Sequence, residues 1–274
     1  MTPKLRHSLV AWAVLAPFVV LILFPFGVMI VTALKPNTEV LSPHWWPRDV
    51  RWENFVEMWG ATGFGRALFN SLLVSTLSTL LALAVSVPAA YALARMPHRG
   101  KGAFRQFLLV TQMLSPIVLV LGLFKLVASL GLLDTSLAII LVYAGFAIAF
   151  ATWLLQSYFA TIPRDLEEAA WMEGAGRWRA IRDVFLPLAL PAVAVTAIFT
   201  FVQAWNEFVI ALTMLRNDES HTLPIRIFGL VAGRYTVEWN YVMAATVLAT
   251  VPVAIVFAFL QRHLVRGLAA GAVK

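Results

Sequence analysis

Six apolar runs alternate with shorter polar stretches along the chain, at about 9–34, 68–94, 107–130, 136–159, 188–215 and 241–260. A helix needs about 20 apolar residues to cross the hydrocarbon core, and it satisfies its own backbone there, so the pattern predicts six transmembrane helices. Lys4, Arg6 and His7 precede the first run, a start shared with cleaved signal peptides. The run outlasts an h-region of about 7–15 residues, which predicts a retained span. Between spans four and five lies the longest charged segment, residues 161–191, which reads as helix, glycine turn, helix. Pro163 suits a first helical turn, and Asp165, Glu167 and Glu168 set negative charge against the positive end of the helix dipole. Gly174-Ala175-Gly176 ends that helix. Trp178, Ile181 and Phe185 then share one face of a second short helix, opposite Arg179 and Asp183, until Pro187 stops it. A hairpin this small cannot bury its own apolar stripe, so it rests on its own membrane domain or on another protein.

Polar residues inside the runs refine the picture. In the second span Ser71, Ser75, Ser78, Ala82 and Ser86 recur at spacings of four, three, four and four, a face of small residues that lets helices approach closely. The third carries Thr111, Gln112, Ser115 and Pro116, which predicts a kinked helix with a partly polar interior. Lys125 near its end reads as snorkelling to the interface. On the fifth, Thr196, Thr200, Gln203 and Glu207 follow at spacings of four, three and four, with Asn206 beside the last. Glu207 alone would simply reach interfacial water; a whole polar stripe in an apolar run points to a lined path. The stretch 35–66, with Trp45, Trp46, Trp52 and Trp59 among prolines, reads as a loop at the membrane interface.

Composition sets the class. With 61% hydrophobic and 13% charged residues and a mean hydropathy of +0.82, the chain lies far from soluble usage, where charged residues make up about 25%. It is an all-α polytopic membrane protein, a single transmembrane domain over 1–274. The absence of cysteine excludes disulfides and thiolate metal sites. The net charge of +7 does not indicate nucleic acid, because the basic residues sit at the ends of apolar runs. With six spans and a cytoplasmic N-terminus, 13 of the 21 Lys and Arg fall inside, so the inner side carries +8 and the outer −1. That is the asymmetry of the positive-inside rule, and it puts both termini in the cytoplasm. No catalytic constellation is present: there is no GxSxG and no HExxH, and His7, His44, His98, His221 and His263 are scattered among loops. The absence of GxxxxGK[ST] means that the chain cannot itself hydrolyse ATP.

The charged hairpin carries a resemblance. Glu168-Ala169-Ala170, three residues, Gly174, nine residues, Val184, one residue, Leu186-Pro187 resembles the EAA motif of the permease subunits of bacterial binding-protein-dependent ABC importers. Val184 stands where that family usually has Ile, and Glu173 where its sugar permeases usually have Asp. The segments AAYALARMPHRGKG (89–102) and AWNEF (204–208) are similar to elements of the sugar permeases. So is the tail QRHLVRGLAAGAVK (261–274), with Ala269 in place of Thr and no final Gly.

The resemblance implies a maltose-type carbohydrate permease of the bacterial inner membrane, with 161–187 as a cytoplasmic coupling segment that enters a cleft on the ATPase. It assigns that contact to Glu167, Glu168, Ala169, Ala170, Glu173, Gly174, Trp178, Leu186 and Pro187, and a second contact to Gly267, Gly271 and Lys274 of the tail. The translocation path would include Thr196, Thr200, Gln203, Asn206 and Glu207. Expected partners are a second homologous permease, an ATPase dimer holding ATP and Mg, an extracytoplasmic solute-binding protein and the lipid bilayer. No cofactor or metal is expected on this chain. A self-sufficient ion- or proton-coupled carrier using Glu207 is the alternative, and a scaffold subunit without a path of its own is a third.

Overall fold

The computed structural model describes residues 3–97, 99–232 and 235–272, with side chains from 12 to 259 and at 261 within those ranges. The regular structure among them is helical: α1 (Pro3–Ala33), α2 (Glu53–Thr62), α3 (Phe64–Arg95), α4 (Lys101–Met113), α5 (Pro116–Ser129), α6 (Ser136–Phe159), α7 (Asp165–Met172), α8 (Arg177–Ala180), α9 (Leu186–Leu188), α10 (Leu190–Asn206), α11 (Val209–Met214), α12 (Leu223–Gly229) and α13 (Trp239–Ala272). Among the described residues four helices are each long and apolar enough to cross a membrane: Trp12–Ala33, Phe64–Arg95, Ser136–Phe159 and Trp239–Phe259. Two bent pairs raise the number to as many as six, Lys101–Met113 with Pro116–Ser129 at 95° and Arg177–Leu188 with Leu190–Asn206 at 80°.

Local chemistry accounts for the breaks. Pro116 opens α5, and its ring excludes the α region for the residue before it, so Ser115 is extended at φ −67°, ψ 131°. The expected kink is thus a full corner between two helices. The fifth apolar run is not continuous either. The α10 helix ends at Asn206, Glu207 is extended at φ −70°, ψ 129°, and α11 restarts at Val209.

The chain forms two compact units, each made of separated segments. The first comprises 1–65 and 226–252. Here buried Asn54 donates to the carbonyls of Ala33 and Lys35 at 2.7 and 2.9 Å, satisfying the open end of α1, and accepts from Asn240 at 3.1 Å. Trp45, Trp46, Trp52 and Trp59 are all exposed in this unit. Most of the apolar side chains described on α1, from Trp12 on, are exposed too, Leu21 at 71%, a surface that suits lipid.

The second unit comprises 66–225 and 253–274. Ser71, Ser75, Ser78, Ala82 and Ser86 of α3 are all buried, and Ser86 donates to the carbonyl of Ile148 on α6 at 3.2 Å, so the small face is a close-packing face. One apolar cluster joins Val74, Val127, Ile139 and Tyr143 to Ile210 and Met214; another joins Tyr91, Leu155 and Phe159 to Ile181 and Phe185 of the charged hairpin.

Candidate functional site

The hairpin begins with α7, whose first turn holds Asp165, Glu167 and Glu168. It ends in a Schellman arrangement: Gly174 N–H donates to Trp171 C=O at 3.0 Å and Ala175 N–H to Ala170 C=O at 2.9 Å. Closing it requires φ +80° at Gly174, a left-handed backbone that glycine adopts without strain. Helix α8 follows, and Ile181–Phe185 widens into a π-turn in which Leu186 N–H reaches back to Ile181 C=O.

Three sequence expectations need correction here. Pro187 does not stop the second helix, which runs on through Leu188. Pro187 has no N–H to give an α-type bond, and the wider turn before it absorbs that loss. Trp178 does not share the buried face of Ile181 and Phe185: it is 72% exposed, whereas Phe185 is fully buried. Glu167, expected at the ATPase surface, is 4% exposed; Tyr91 Oη donates to its Oε1 at 2.5 Å, and Arg95 Nε lies 3.8 Å from Oε2.

The hairpin therefore has two sides. Ile181 and Phe185 rest on the second unit's own core. Leu166, Trp171, Met172 and Trp178 point outward, as do Glu168, Ala169, Glu173 and Gly174, while Ala170 and Leu186 are half-buried and Pro187 is exposed.

A cavity of about 370 Å³ opens among α4, α5, α6 and α10, lined by Thr111, Gln112, Tyr143, Gln203, Asn206 and Glu207 with Thr200 and apolar neighbours. Thr200, Gln203, Asn206 and Glu207 thus share one wall region, but Thr196 does not reach it. Its side chain is fully buried, donating to Ala192 C=O at 2.7 Å. Nor does Glu207 extend the α10 stripe, since it has left the helix. Its carboxylate instead accepts from Tyr143 Oη at 2.6 Å, Ile210 N–H at 2.9 Å and Ala211 N–H at 3.1 Å. Three donors engage it, so it caps α11 and closes the gap in the broken span.

The tail is described as backbone of α13 through Ala272, which includes Gly267 and Gly271; Lys274 lies outside the described residues. Among the described residues no group of three His, Cys, Asp or Glu is placed to hold a metal. Sequence reasoning gave Tyr91 and Arg95 no role beyond their place in the 89–102 element and missed Tyr143; Arg95 closes α3, while the two tyrosines are isolated polar groups on long apolar helices. The only available signal was the cost of such groups in a membrane unless they find partners.

An apolar helical bundle with a broken polar span, a polar cavity beside the break and an outward-facing charged hairpin defines a membrane transport component. The comparisons narrow this class. The family model for the binding-protein-dependent transport system inner membrane component matches residues 86–270. The chain is 33% identical to the probable ABC transporter permease protein YurM of Bacillus subtilis, covering 96% of this chain and 87% of that one. It is 34% identical to the diacetylchitobiose uptake system permease protein DasC of Streptomyces coelicolor, over 92% of both chains. The trehalose/maltose transport system permease protein MalG of Thermococcus litoralis is also 34% identical, over 93% of this chain and 92% of its own. In fold, the chain matches a solved bacterial ABC transporter involved in the import of the acidic polysaccharide alginate, with a TM-score of 0.80 at 23% identity, over 96% of this chain and 98% of that one. The chain belongs to the binding-protein-dependent transport system inner membrane component family. It is the non-enzymatic membrane permease subunit of an ABC importer, and ATP hydrolysis belongs to a separate subunit.

Proposed function

We propose that this permease pairs with a second, homologous permease to form the inward path for a neutral sugar or sugar-like solute. The solute is delivered by an extracytoplasmic binding protein, and the path is driven by an ATPase dimer that holds ATP and Mg. The observation that carries the reading is the two-sided hairpin: Phe185 is buried in the permease's own core, while Trp171, Met172 and Trp178 remain exposed beside Glu168. Large apolar side chains projecting from a charged hairpin suit insertion into a cleft on another protein, and aromatic anchors commonly dominate such contacts. Closure of the ATPases would then displace the hairpin and shift the bundle between inward-open and outward-open arrangements. The excess of positive charge on the loops assigned to the inside supports cytoplasmic termini.

The solute class draws on the cavity lining. Thr111, Gln112, Gln203 and Asn206 offer neutral donors and acceptors, and among the described residues no Lys or Arg lines it. Relatives named for diacetylchitobiose and for trehalose and maltose point the same way. The carrier alternative requires Glu207 to exchange a proton or cation, yet its carboxylate is engaged by three internal donors. The test is reconstitution of the complex in proteoliposomes with the binding protein outside. Uptake should require internal ATP and be unaffected by a protonophore. Uptake that runs on a proton gradient without ATP would overturn the reading.

A further inference from the structure

The side of the hairpin turned away from the proposed ATPase face ends in a polar node enclosed by aromatic rings. Tyr91 and Arg95 lie one turn apart on α3, so both side chains reach the same neighbour. Tyr91 Oη donates to Glu167 Oε1 at 2.5 Å. Arg95 Nε lies 3.8 Å from Glu167 Oε2, and Arg95 Nη2 donates to Phe159 C=O at 2.9 Å and to Ile162 C=O. The first carbonyl belongs to the last residue of α6 and the second to the turn that follows it, at the end of the helix where a cation is favoured. The Arg95 guanidinium sits 4.9 Å above the Phe185 ring, which packs edge-on against Tyr91 at 5.0 Å and Phe159 at 5.7 Å. The charged side chains are nearly closed off from solvent, Arg95 at 5% and Glu167 at 6% exposure. One node thus joins both arms of the hairpin, through Glu167 and Phe185, to the ends of α3 and α6.

A buried ion pair is weak evidence for stability, because an apolar replacement of similar volume often serves as well. What hydrogen-bonded charges supply and apolar packing does not is a fixed register, since an apolar contact can slide at little cost. The other end of the lever is in view. Helix α6 is unbroken from Ser136 to Phe159, and Tyr143 near its far end donates to Glu207 in the cavity wall. At 1.5 Å per residue, Phe159 lies about 24 Å along the helix from Tyr143.

We propose that Tyr91, Arg95 and Glu167 are positioning residues that lock the hairpin to α3 and α6, so that a push on the hairpin moves α6 as a rod and reaches the cavity wall through Tyr143. Glu167 serves as an internal grip and makes no contact with the ATPase. The proposal rests on the importer reading above, and the experiment separates the two.

Complexes carrying Glu167→Gln, Arg95→Lys or Tyr91→Phe are reconstituted with wild-type ATPase and binding protein, and solute uptake and ATP hydrolysis are measured together. The wild-type complex first checks the importer reading: absence of ATP-driven uptake there sinks that reading before the node is tested. The expected result for Glu167→Gln and Arg95→Lys is normal co-purification of the ATPase and continued ATP hydrolysis, with solute moved per ATP reduced about fivefold or more. The double variant should be no worse than the worse single one, since both break the same grip. Tyr91→Phe keeps the ring packing and removes one donor, so it should give the same uncoupling at smaller amplitude. If the two charge variants fail to insert, Tyr91→Phe alone decides by the same ratio. An unchanged ratio in the variants that assemble overturns the proposal. Loss of ATPase binding by Glu167→Gln also overturns it, because it would put Glu167 at the ATPase surface.

Discussion

Replacing Gly174 tests the hairpin most directly. Its φ of +80° places it in the left-handed region, and a Cβ built there meets nothing within 4 Å. The cost of a side chain is therefore conformational and not steric. A non-glycine L-residue pays about 1–2 kcal/mol in this region, with β-branched residues at the upper end. Either the turn keeps its shape and carries that strain, or φ relaxes, the Schellman bonds from Gly174 and Ala175 open, and α8 swings with Trp178 away from its place beside α7. At 1.4 kcal/mol per tenfold, the docking-competent geometry falls by about 5- to 30-fold in Gly174→Val. Gly176 is the internal control, since its backbone is extended at φ −73°, ψ 170° and an added Cβ there also meets open space. Gly176→Ala should behave as wild type, and Gly174→Asn should lie between, because Asn tolerates positive φ better than most residues. The assay is co-purification of the ATPase with solute uptake in vesicles, against membrane insertion as the reference. Equal behaviour of Gly174→Val and Gly176→Ala would refute the reasoning.

Three further outcomes are expected. Trp178→Ala removes an exposed aromatic that the bundle does not use, so ATPase binding should weaken by about 2 kcal/mol, roughly 30-fold, with unchanged thermal stability of the isolated permease; titration of the complex checks this. Tyr143→Phe takes one of three donors from Glu207, which should lower the thermal midpoint in detergent by an amount equivalent to about 1.5–3 kcal/mol and reduce uptake, whereas Gln203→Leu should reduce uptake alone. At the turn between α5 and α6, backbone N–H groups of Arg216 and Asn217 donate to Asp134 and hold its carboxyl below the usual range. A lowered folded-state value means that this stabilisation is complete above the ordinary carboxylate pKa of about 3.9 and fades as pH falls through the lowered one. The thermal midpoint should therefore lose an acid-side component in Asp134→Asn and be unaltered in its pH dependence near neutrality.

The helical class and the long apolar helices were legible because the length of an apolar run is a local property, set by bilayer thickness and by the helix's ability to satisfy its own backbone. The glycine turn was legible for the same reason: the bonds that close it connect residues only three and five positions apart. The small face of α3 could be read from spacing alone, since Ser71 to Ser86 lie on one continuous helix. Spacing misled where the helix itself broke. The stripe from Thr196 to Glu207 assumed one unbroken cylinder, but the chain becomes extended at Glu207, so this carboxylate lines the cavity from outside the helix and also caps the next one. Spacing likewise grouped Trp178 with Phe185, yet the wider turn at Ile181–Phe185 changes the residues per turn, and the two side chains part to opposite environments. Glu167 and Glu168 are adjacent and chemically identical, so no rule of composition or period separates them. Only the tertiary structure does: Tyr91 and Arg95, more than seventy positions earlier, enclose Glu167 and leave Glu168 exposed. Which carboxylate grips the bundle and which remains available for a partner is decided by long-range packing, because helix direction places a side chain on a face but only the neighbouring helices decide whether that face is buried.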